Sequence, residues 1–112
     1  MTLFEKIAAR EIPARIIAES EDWLAFHDVN PQAPAHVLIV PKRAIPRLDQ
    51  ATGEDAALLG RMLLAAPAIA KSLGVAESGF RIVINNGRDA GESVPHLHLH
   101  LLGGRPLAWP PG

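Results

Sequence analysis

Cysteine is absent from this 112-residue chain, which excludes disulfides, thiolate nucleophiles and thiolate metal ligands together. No apolar run approaches the length that crosses a bilayer, so we expect no membrane partner. Eleven basic and twelve acidic residues give a net charge of -1 and form no basic stripe, which argues against polymeric nucleic acid as a partner. Residues 1–5 do not resemble a signal peptide, and we expect one cytoplasmic domain over residues 1–112.

Apolar spacing and turn formers predict five strands and two helices. Residues 3–10 carry apolar side chains at helical spacing, and a capping box of Thr52 and Asp55 starts a long helix that ends before Gly74. Pro67 inside this helix predicts a kink near Leu63 or a division into two helices. Strands are predicted over residues 15–19, 23–27, 36–40, 80–85 and 96–102, followed by an irregular tail over 103–112.

The predicted fold class is α+β. It comprises an antiparallel sheet of about five strands, with the short N-terminal helix and the long helix on one face, and the opposite face is then free for a site. A sheet with an open edge in so short a chain can gain core by pairing with a second copy, so we also expect a homodimer.

Three histidines at two-residue spacing, His96, His98 and His100, alternate with leucines near the end of the chain. Successive side chains of a strand point to opposite faces, so the imidazoles are predicted to line one face while the leucines enter a core. Imidazole can act as nucleophile, acid, base or metal ligand near neutral pH. Three imidazoles in register favour a functional site over a solvated strand surface.

Zinc is an alternative that the same histidines leave open, because neutral imidazole is a common zinc ligand. Three imidazoles would need a carboxylate or a water to complete the shell, and Asp28 is the carboxylate that the predicted strands bring near.

The loop Gly87–Ser93 is either flexible or an anion site, since its glycines allow backbone N–H groups to wrap around an anion. With the side chains of Ser93 and Asn85, it would gather donors around a phosphate without any metal.

The chain resembles the histidine triad superfamily, whose signature is His-x-His-x-His with apolar residues between, and most closely its Hint branch of nucleotide-binding phosphoramidases. This resemblance implies a HIT-like fold in which two subunits join into one continuous sheet. It extends over nearly the whole chain and rests on Leu3-Phe4-Glu5-Lys6-Ile7, Glu11-Ile12-Pro13-Ala14, Leu24-Ala25-Phe26-His27-Asp28, Pro31-Gln32-Ala33-Pro34-Ala35-His36, Pro41-Lys42, Gly91-Glu92-Ser93-Val94, Leu102-Gly103-Gly104-Arg105 and Trp109-Pro110-Pro111-Gly112.

By position, the resemblance makes His98 the nucleophile that attacks the α-phosphorus of a purine nucleoside 5'-phosphoramidate and forms a nucleotidyl-histidine intermediate. His100 then donates toward the phosphoryl oxygens, Ser93 lies near the departing amine, and His96 and His36 orient the site or relay protons. Water releases the nucleoside monophosphate, and neither a cofactor nor a metal is required. The implied substrates are adenosine 5'-phosphoramidate and nucleotides of the aminoacyl-AMP or lysyl-AMP type.

The resemblance also implies the contacts of the nucleotide. Asp28 accepts hydrogen bonds from the ribose hydroxyls, and Asn85, Ser93 and Val94 lie at the nucleotide with the catalytic histidines. The tail over residues 103–112 crosses to the partner subunit, where Trp109 helps to shape the site. The walls of the base pocket are implied for Ile7, Ile12, Phe26, His27, Val29 and Leu38.

Four residues depart from the family pattern. Ala44 and Ala108 stand where histidine is frequent, Glu92 where glutamine is frequent, and Pro95 where an aromatic residue is common. Glu92 puts a carboxylate beside the expected anion site, which lowers phosphate affinity unless the side chain points away. A nucleotide sensor with vestigial catalysis would keep the same donors, so the sequence leaves this binding function open beside the hydrolase and the zinc enzyme.

Overall fold

The computed structural model describes residues 1–112, which form two helices and five strands with short 3-10 turns between some of them. The strands form one antiparallel sheet, and the predicted α+β class with a five-stranded antiparallel sheet is confirmed. In chain order the elements are α1 (Leu3–Ala8), β1 (Ile16–Glu19), β2 (Trp23–His27), β3 (Ala35–Pro41), α2 (Ala56–Ser72), β4 (Phe80–Val83) and β5 (Leu99–Gly103). The order of strands across the sheet is β1-β2-β3-β5-β4.

Capping residues fix where the helices begin. Thr2 and Glu5 form a capping box at α1, and the predicted box of Thr52 and Asp55 lies in a 3-10 turn directly before α2. Helix α1 is shorter than predicted, because Arg10 takes a left-handed conformation with a φ of 64° that cannot continue a right-handed helix.

Helix α2 runs without interruption through Pro67, so the alternative of two shorter helices is wrong. Proline removes one backbone hydrogen bond, but Pro67 and Leu63 both lie on the exposed side of α2, where water can bind the freed carbonyl. Neither helix combines the length and the apolar composition that crossing a bilayer requires. Buried side chains on both sides of the proline hold α2 against the sheet as one piece: Leu58, Met62, Ala66, Ile69 and Ala70.

Both faces of the sheet are covered, and every residue of β3 is buried as a result. Helix α2 packs on the face that carries Val37 and Ile39. Helix α1 packs on the opposite face, because Phe4 and Ile7 form an apolar surface that is buried against Leu38 and its neighbours. The two helices therefore cover opposite faces of the sheet, whereas the sequence analysis expected both on one face. Helix α1 forms a wall on the face that was predicted to be open.

Strand β5 begins at Leu99 rather than at residue 96, so only His100 of the three alternating histidines lies in a strand. The backbone N–H of Leu97 donates to the carbonyl of Ile45 at 2.6 Å, outside the ladder of the sheet. The predicted alternation holds nevertheless, since the leucines are buried in the cluster under α2 and the imidazoles lie on the other face. Strand β5 also includes Gly103, β4 ends before residues 84 and 85, and residues 104–112 form no helix or strand.

Replacing Leu101 by alanine is expected to lower the free energy of unfolding by about 2–5 kcal/mol, because this side chain is fully buried between α2 and the sheet. Urea denaturation followed by circular dichroism measures the change. The matched control is Leu64→Ala on the exposed side of α2, which is expected to change stability by less than about 0.5 kcal/mol. Equal losses in the two variants would contradict this assignment of the core.

Candidate active site

A cavity of about 380 Å³ opens on the face of the sheet that α1 covers, and its size suits a small-molecule ligand. Apolar side chains form most of its wall, and polar groups are concentrated at His98, His100, Ser93 and Asp28. The lining comprises Leu3, Phe4, Ile7, Ile12, Pro13, Ala14, Phe26, His27, Asp28, Val29, Leu38, Ser93, Val94, His98 and His100.

His98 is held in one tautomer by the backbone. Its Nδ1 lies 2.7 Å from the carbonyl oxygen of His96, and since a carbonyl only accepts, Nδ1 carries the proton. In the neutral ring Nε2 then has a free lone pair. The Phe4 ring packs edge-on against His98 with its centroid 5.1 Å away, which restricts the orientation of the imidazole. His98 therefore brings a nucleophilic nitrogen to the cavity.

His96 lies behind the cavity and is fully buried. Its Nε2–H donates to the carbonyl of Pro41 at 2.7 Å, and its Nδ1 accepts a hydrogen bond from the Thr2 hydroxyl at 2.6 Å. Burial lowers the pKa of His96, so the ring is neutral at neutral pH. With both nitrogens occupied, His96 supports His98 through its backbone carbonyl and has no lone pair left for a metal.

His36 and His100 form a directed hydrogen-bonded pair. The backbone N–H of Gln32 donates to His36 Nδ1 at 3.0 Å, so the neutral ring carries its proton on Nε2 and donates to His100 Nδ1 at 2.9 Å. This arrangement leaves Nε2–H of His100 as a donor. Burial is the main cause that lowers the pKa of both rings, and it brings the pKa of His100 to about 4. Both imidazoles are therefore neutral near pH 7.

Asp28 completes a group with His36 and His100 whose potential ligand atoms all lie within 4.8 Å of one another. Asp28 Oδ2 is 3.4 Å from His36 Nε2, and its Oδ1 accepts the backbone N–H of Asn30. A metal would need the lone pair of His36 Nε2, yet the Gln32 N–H fixes the proton on that nitrogen. The donor set therefore does not fit a metal as it stands, and the alternating histidines do not converge as three ligands.

The HIT domain family matches residues 9–107 of this sequence. The chain belongs to the HIT family. An uncharacterized HIT-like protein of Synechocystis sp. is 59% identical over 111 residues, which cover 99% of this chain and 96% of that protein. The crystal structure of a HIT family hydrolase from Legionella pneumophila has a TM-score of 0.97 at 46% identity and full coverage of both chains. A histidine triad protein from Clostridium difficile has a TM-score of 0.91 at 39% identity, with 95% of this chain and 92% of that one covered.

Most of the site residues expected from the sequence line the cavity of this HIT protein. His96 and His36 lie behind it, each bonded to the residues described above. Asn85 lies beyond the end of β4 and does not line the cavity, and Trp109 is 82% exposed outside it. The interpretation of the base pocket omitted Leu3, Phe4, Pro13 and Ala14, which are among the lining residues.

Sequence signals for the omitted residues did exist. Leu3 and Phe4 share the apolar helical spacing of Ile7, and Pro13 and Ala14 directly follow Ile12. They were missed because the resemblance implied only Ile7 and Ile12 from this part of the chain as walls of the base pocket. In the HIT fold seen here, the helix and the chain that follows it form one side of the cavity.

Proposed function

We propose that this HIT protein is a nucleotide-binding hydrolase of the Hint type, which cleaves the P–N bond of purine nucleoside 5'-phosphoramidates. Its substrates are of the adenosine 5'-phosphoramidate or aminoacyl-AMP and lysyl-AMP type, and its products are a nucleoside monophosphate and an amine. The observation that carries the proposal is the His98 ring, whose Nδ1–H is fixed on the His96 carbonyl while the ring borders the cavity. The likeness to a structure described as a HIT family hydrolase supports the same class of reaction.

In the first step, His98 Nε2 attacks the α-phosphorus, so a P–N bond to the imidazole forms while the P–N bond to the amine breaks. The ring gains positive charge, which the hydrogen bond from Nδ1–H to the His96 carbonyl disperses. The phosphoryl oxygens gain negative charge, and His100 Nε2–H is the donor placed to stabilise it. The amine must leave with a proton, which the Ser93 hydroxyl at the cavity can deliver while it takes a proton from water in exchange.

In the second step, water attacks the same phosphorus and the bond between phosphorus and His98 Nε2 breaks. The nucleoside monophosphate is released, the electron pair of the broken bond returns to Nε2, and the proton of the attacking water passes to solvent or to a neighbouring base. Imidazole suits both steps because it is a nucleophile when neutral and a good leaving group once nucleotidylated. The geometry of the site therefore supports turnover through a covalent intermediate.

The rest of the cavity suits a nucleoside. The apolar walls from α1, β2 and β3 can enclose a purine, with Phe26 and Leu38 at its floor. The Asp28 carboxylate lies at the polar end of this wall, where it can accept hydrogen bonds from ribose hydroxyls. Because the donor set does not fit a metal, we propose that no metal takes part.

We also propose that two copies pair and that the tail over residues 103–112 reaches the site of the partner subunit. Strand β4 is at an edge of the sheet, where it can pair with another strand. Arg81 Nη2 on β4 donates to the carbonyls of Leu107 and Ala108 at 3.0 Å, which fixes the tail beside that edge. Trp109 then extends away from its own protomer with 82% of its surface exposed. Sedimentation of the full chain tests the pairing, and we expect the mass of a dimer. The cytoplasmic location stays a prediction.

The decisive experiment combines a panel of nucleoside phosphoramidates with acid quenching and mass spectrometry of the protein. We expect turnover of purine phosphoramidates in the presence of EDTA and a nucleoside monophosphate adduct on the peptide that contains His98. Tight binding of nucleoside monophosphate without turnover would overturn the hydrolase in favour of a sensor. Activity that EDTA abolishes and zinc restores would overturn the reaction without a metal.

A further inference from the structure

The Glu92 side chain lies next to the cavity but turns away from it. Glu92 precedes Ser93 and Val94, which both line the cavity, whereas Glu92 itself does not. Its carboxylate accepts two hydrogen bonds from Arg47, at 2.9 Å from Nε and 2.8 Å from Nη2. A third hydrogen bond comes from the backbone N–H of Gly87 at 2.9 Å. All these contacts point the negative charge toward Arg47 and the start of the loop.

These contacts close the loop Gly87–Ser93 into a ring. The backbone N–H of Glu92 donates to the Gly87 carbonyl at 3.2 Å, so residues 87 and 92 are joined by both backbone and side chain. Gly87 and Gly91 have φ values of 90° and 85°, which only glycine adopts without strain. Arg47, which lies between β3 and α2, ties this ring to the body of the protein.

The ion pair of Arg47 and Glu92 also determines the charge beside the cavity. The side chains of Arg47 and Glu92 are 29% and 11% exposed, so the pair is partly shielded from solvent. Glu92 directly precedes Ser93, which lines the cavity. The Arg47 guanidinium and the Gly87 N–H lower the pKa of Glu92 to about 2. The carboxylate is therefore ionised at neutral pH, and a phosphate bound at His98 would meet a nearby negative charge unless a cation offsets it.

We propose that Arg47 is a positioning residue of the phosphate site, which holds the Glu92 carboxylate away from the cavity and neutralises it. The inference deepens the proposed function and rests on it, because the ligand is the phosphate group of the bound nucleotide. Arg47 and Glu92 do not touch the reacting atoms in this scheme. They fix the loop that carries Ser93, and Arg47 offsets the negative charge of Glu92 near the phosphate site.

A charge-removal series on the full chain tests the proposal, with the affinity for AMP and for adenosine and the kinetics of phosphoramidate hydrolysis as readouts. Arg47→Gln leaves the carboxylate without its cation, and we expect AMP affinity to fall by about tenfold while adenosine affinity is unchanged. The double variant Arg47→Gln with Glu92→Gln removes both charges and is expected to restore AMP affinity to within about threefold of the parent. Arg47→Lys keeps the charge with fewer hydrogen bonds and is expected to lose about threefold or less.

Asp89→Asn is the matched control, because Asp89 lies in the same loop and pairs with Arg88, but both side chains are more than 90% exposed. It is expected to leave AMP affinity and KM unchanged, and thermal unfolding checks that all variants fold. AMP affinity in Arg47→Gln equal to that of the parent would overturn the proposal, as would a double variant as weak as the single one or an equal loss for adenosine. A parent that neither binds AMP nor hydrolyses phosphoramidates would instead overturn the proposed function, so the two failures are distinguishable.

Discussion

Replacing His98 by asparagine is expected to lower the rate of phosphoramidate hydrolysis by at least about 10³-fold, because the variant lacks Nε2, which attacks phosphorus in the proposed mechanism. The asparagine amide nitrogen can take the place of Nδ1 and keep the hydrogen bond to the His96 carbonyl. The fold and the cavity should therefore survive the substitution. A fluorogenic adenosine phosphoramidate measures the rate. Mass spectrometry of the acid-quenched variant should detect no nucleotide adduct.

Binding separates the loss of a nucleophile from the loss of a site. We expect the affinity of the His98→Asn variant for AMP to stay within about tenfold of the parent, because Asp28, His100 and the apolar walls are unchanged. The control is His27→Asn, which alters a cavity residue that lacks the hydrogen bonds of the histidine pair and should affect KM more than kcat. Equal turnover in His98→Asn and the parent would remove His98 from the mechanism.

The placement of the alternating histidines was largely predictable because it depends on a short local pattern. Alternation of His98 and His100 with leucines required only that the backbone be extended, and residues 96–98 keep that alternation although they precede β5. The capping box of Thr52 and Asp55 was likewise visible, since its contacts span three residues. Contacts between residues only a few positions apart depend on the local backbone, so the spacing of residue types predicts them.

Features that depend on distant contacts were not predictable in the same way. Thr2 and His96 are 94 residues apart, and nothing in the local sequence at either end indicates their hydrogen bond. Arg47 and Glu92 are 45 residues apart, so the sequence left open whether Glu92 weakens phosphate binding or points away, and its pairing with Arg47 could not be foreseen. The position of α1 failed for the same reason, because a single amphipathic helix does not specify which face of a sheet it covers.

The Thr2 hydroxyl connects the start of α1 to His96. Its hydroxyl accepts the Glu5 N–H in the capping box and donates to His96 Nδ1. One side chain thus starts α1 and fixes the ring of His96, whose backbone carbonyl orients His98. The helix that forms one side of the cavity is thereby joined to His98, the proposed nucleophile.

Acidification from about pH 7 to about pH 5 is expected to destabilise the protein by about 2 kcal/mol through His100 alone. Burial, helped by His98 and His36, lowers the pKa of His100 from its ordinary value of 6.5 to about 4. The unfolded chain therefore binds a proton between these values that the folded protein does not, and stability falls as the pH drops through this window. Burial also lowers the pKa of His36, His96 and His27, which act in the same direction.

The lowered carboxyl groups do not interfere in this range. The pKa of Glu92 falls from 4.5 to about 2, so the stability it contributes is present above pH 4.5 and is lost only at lower pH. Urea denaturation at about pH 7, 6 and 5 therefore isolates the histidines. His100→Asn keeps an acceptor for His36 and removes one titrating ring, so its stability should decline less steeply with falling pH than that of the parent. Parallel declines in the two proteins would show that His100 is protonated as readily in the folded state as in the unfolded chain.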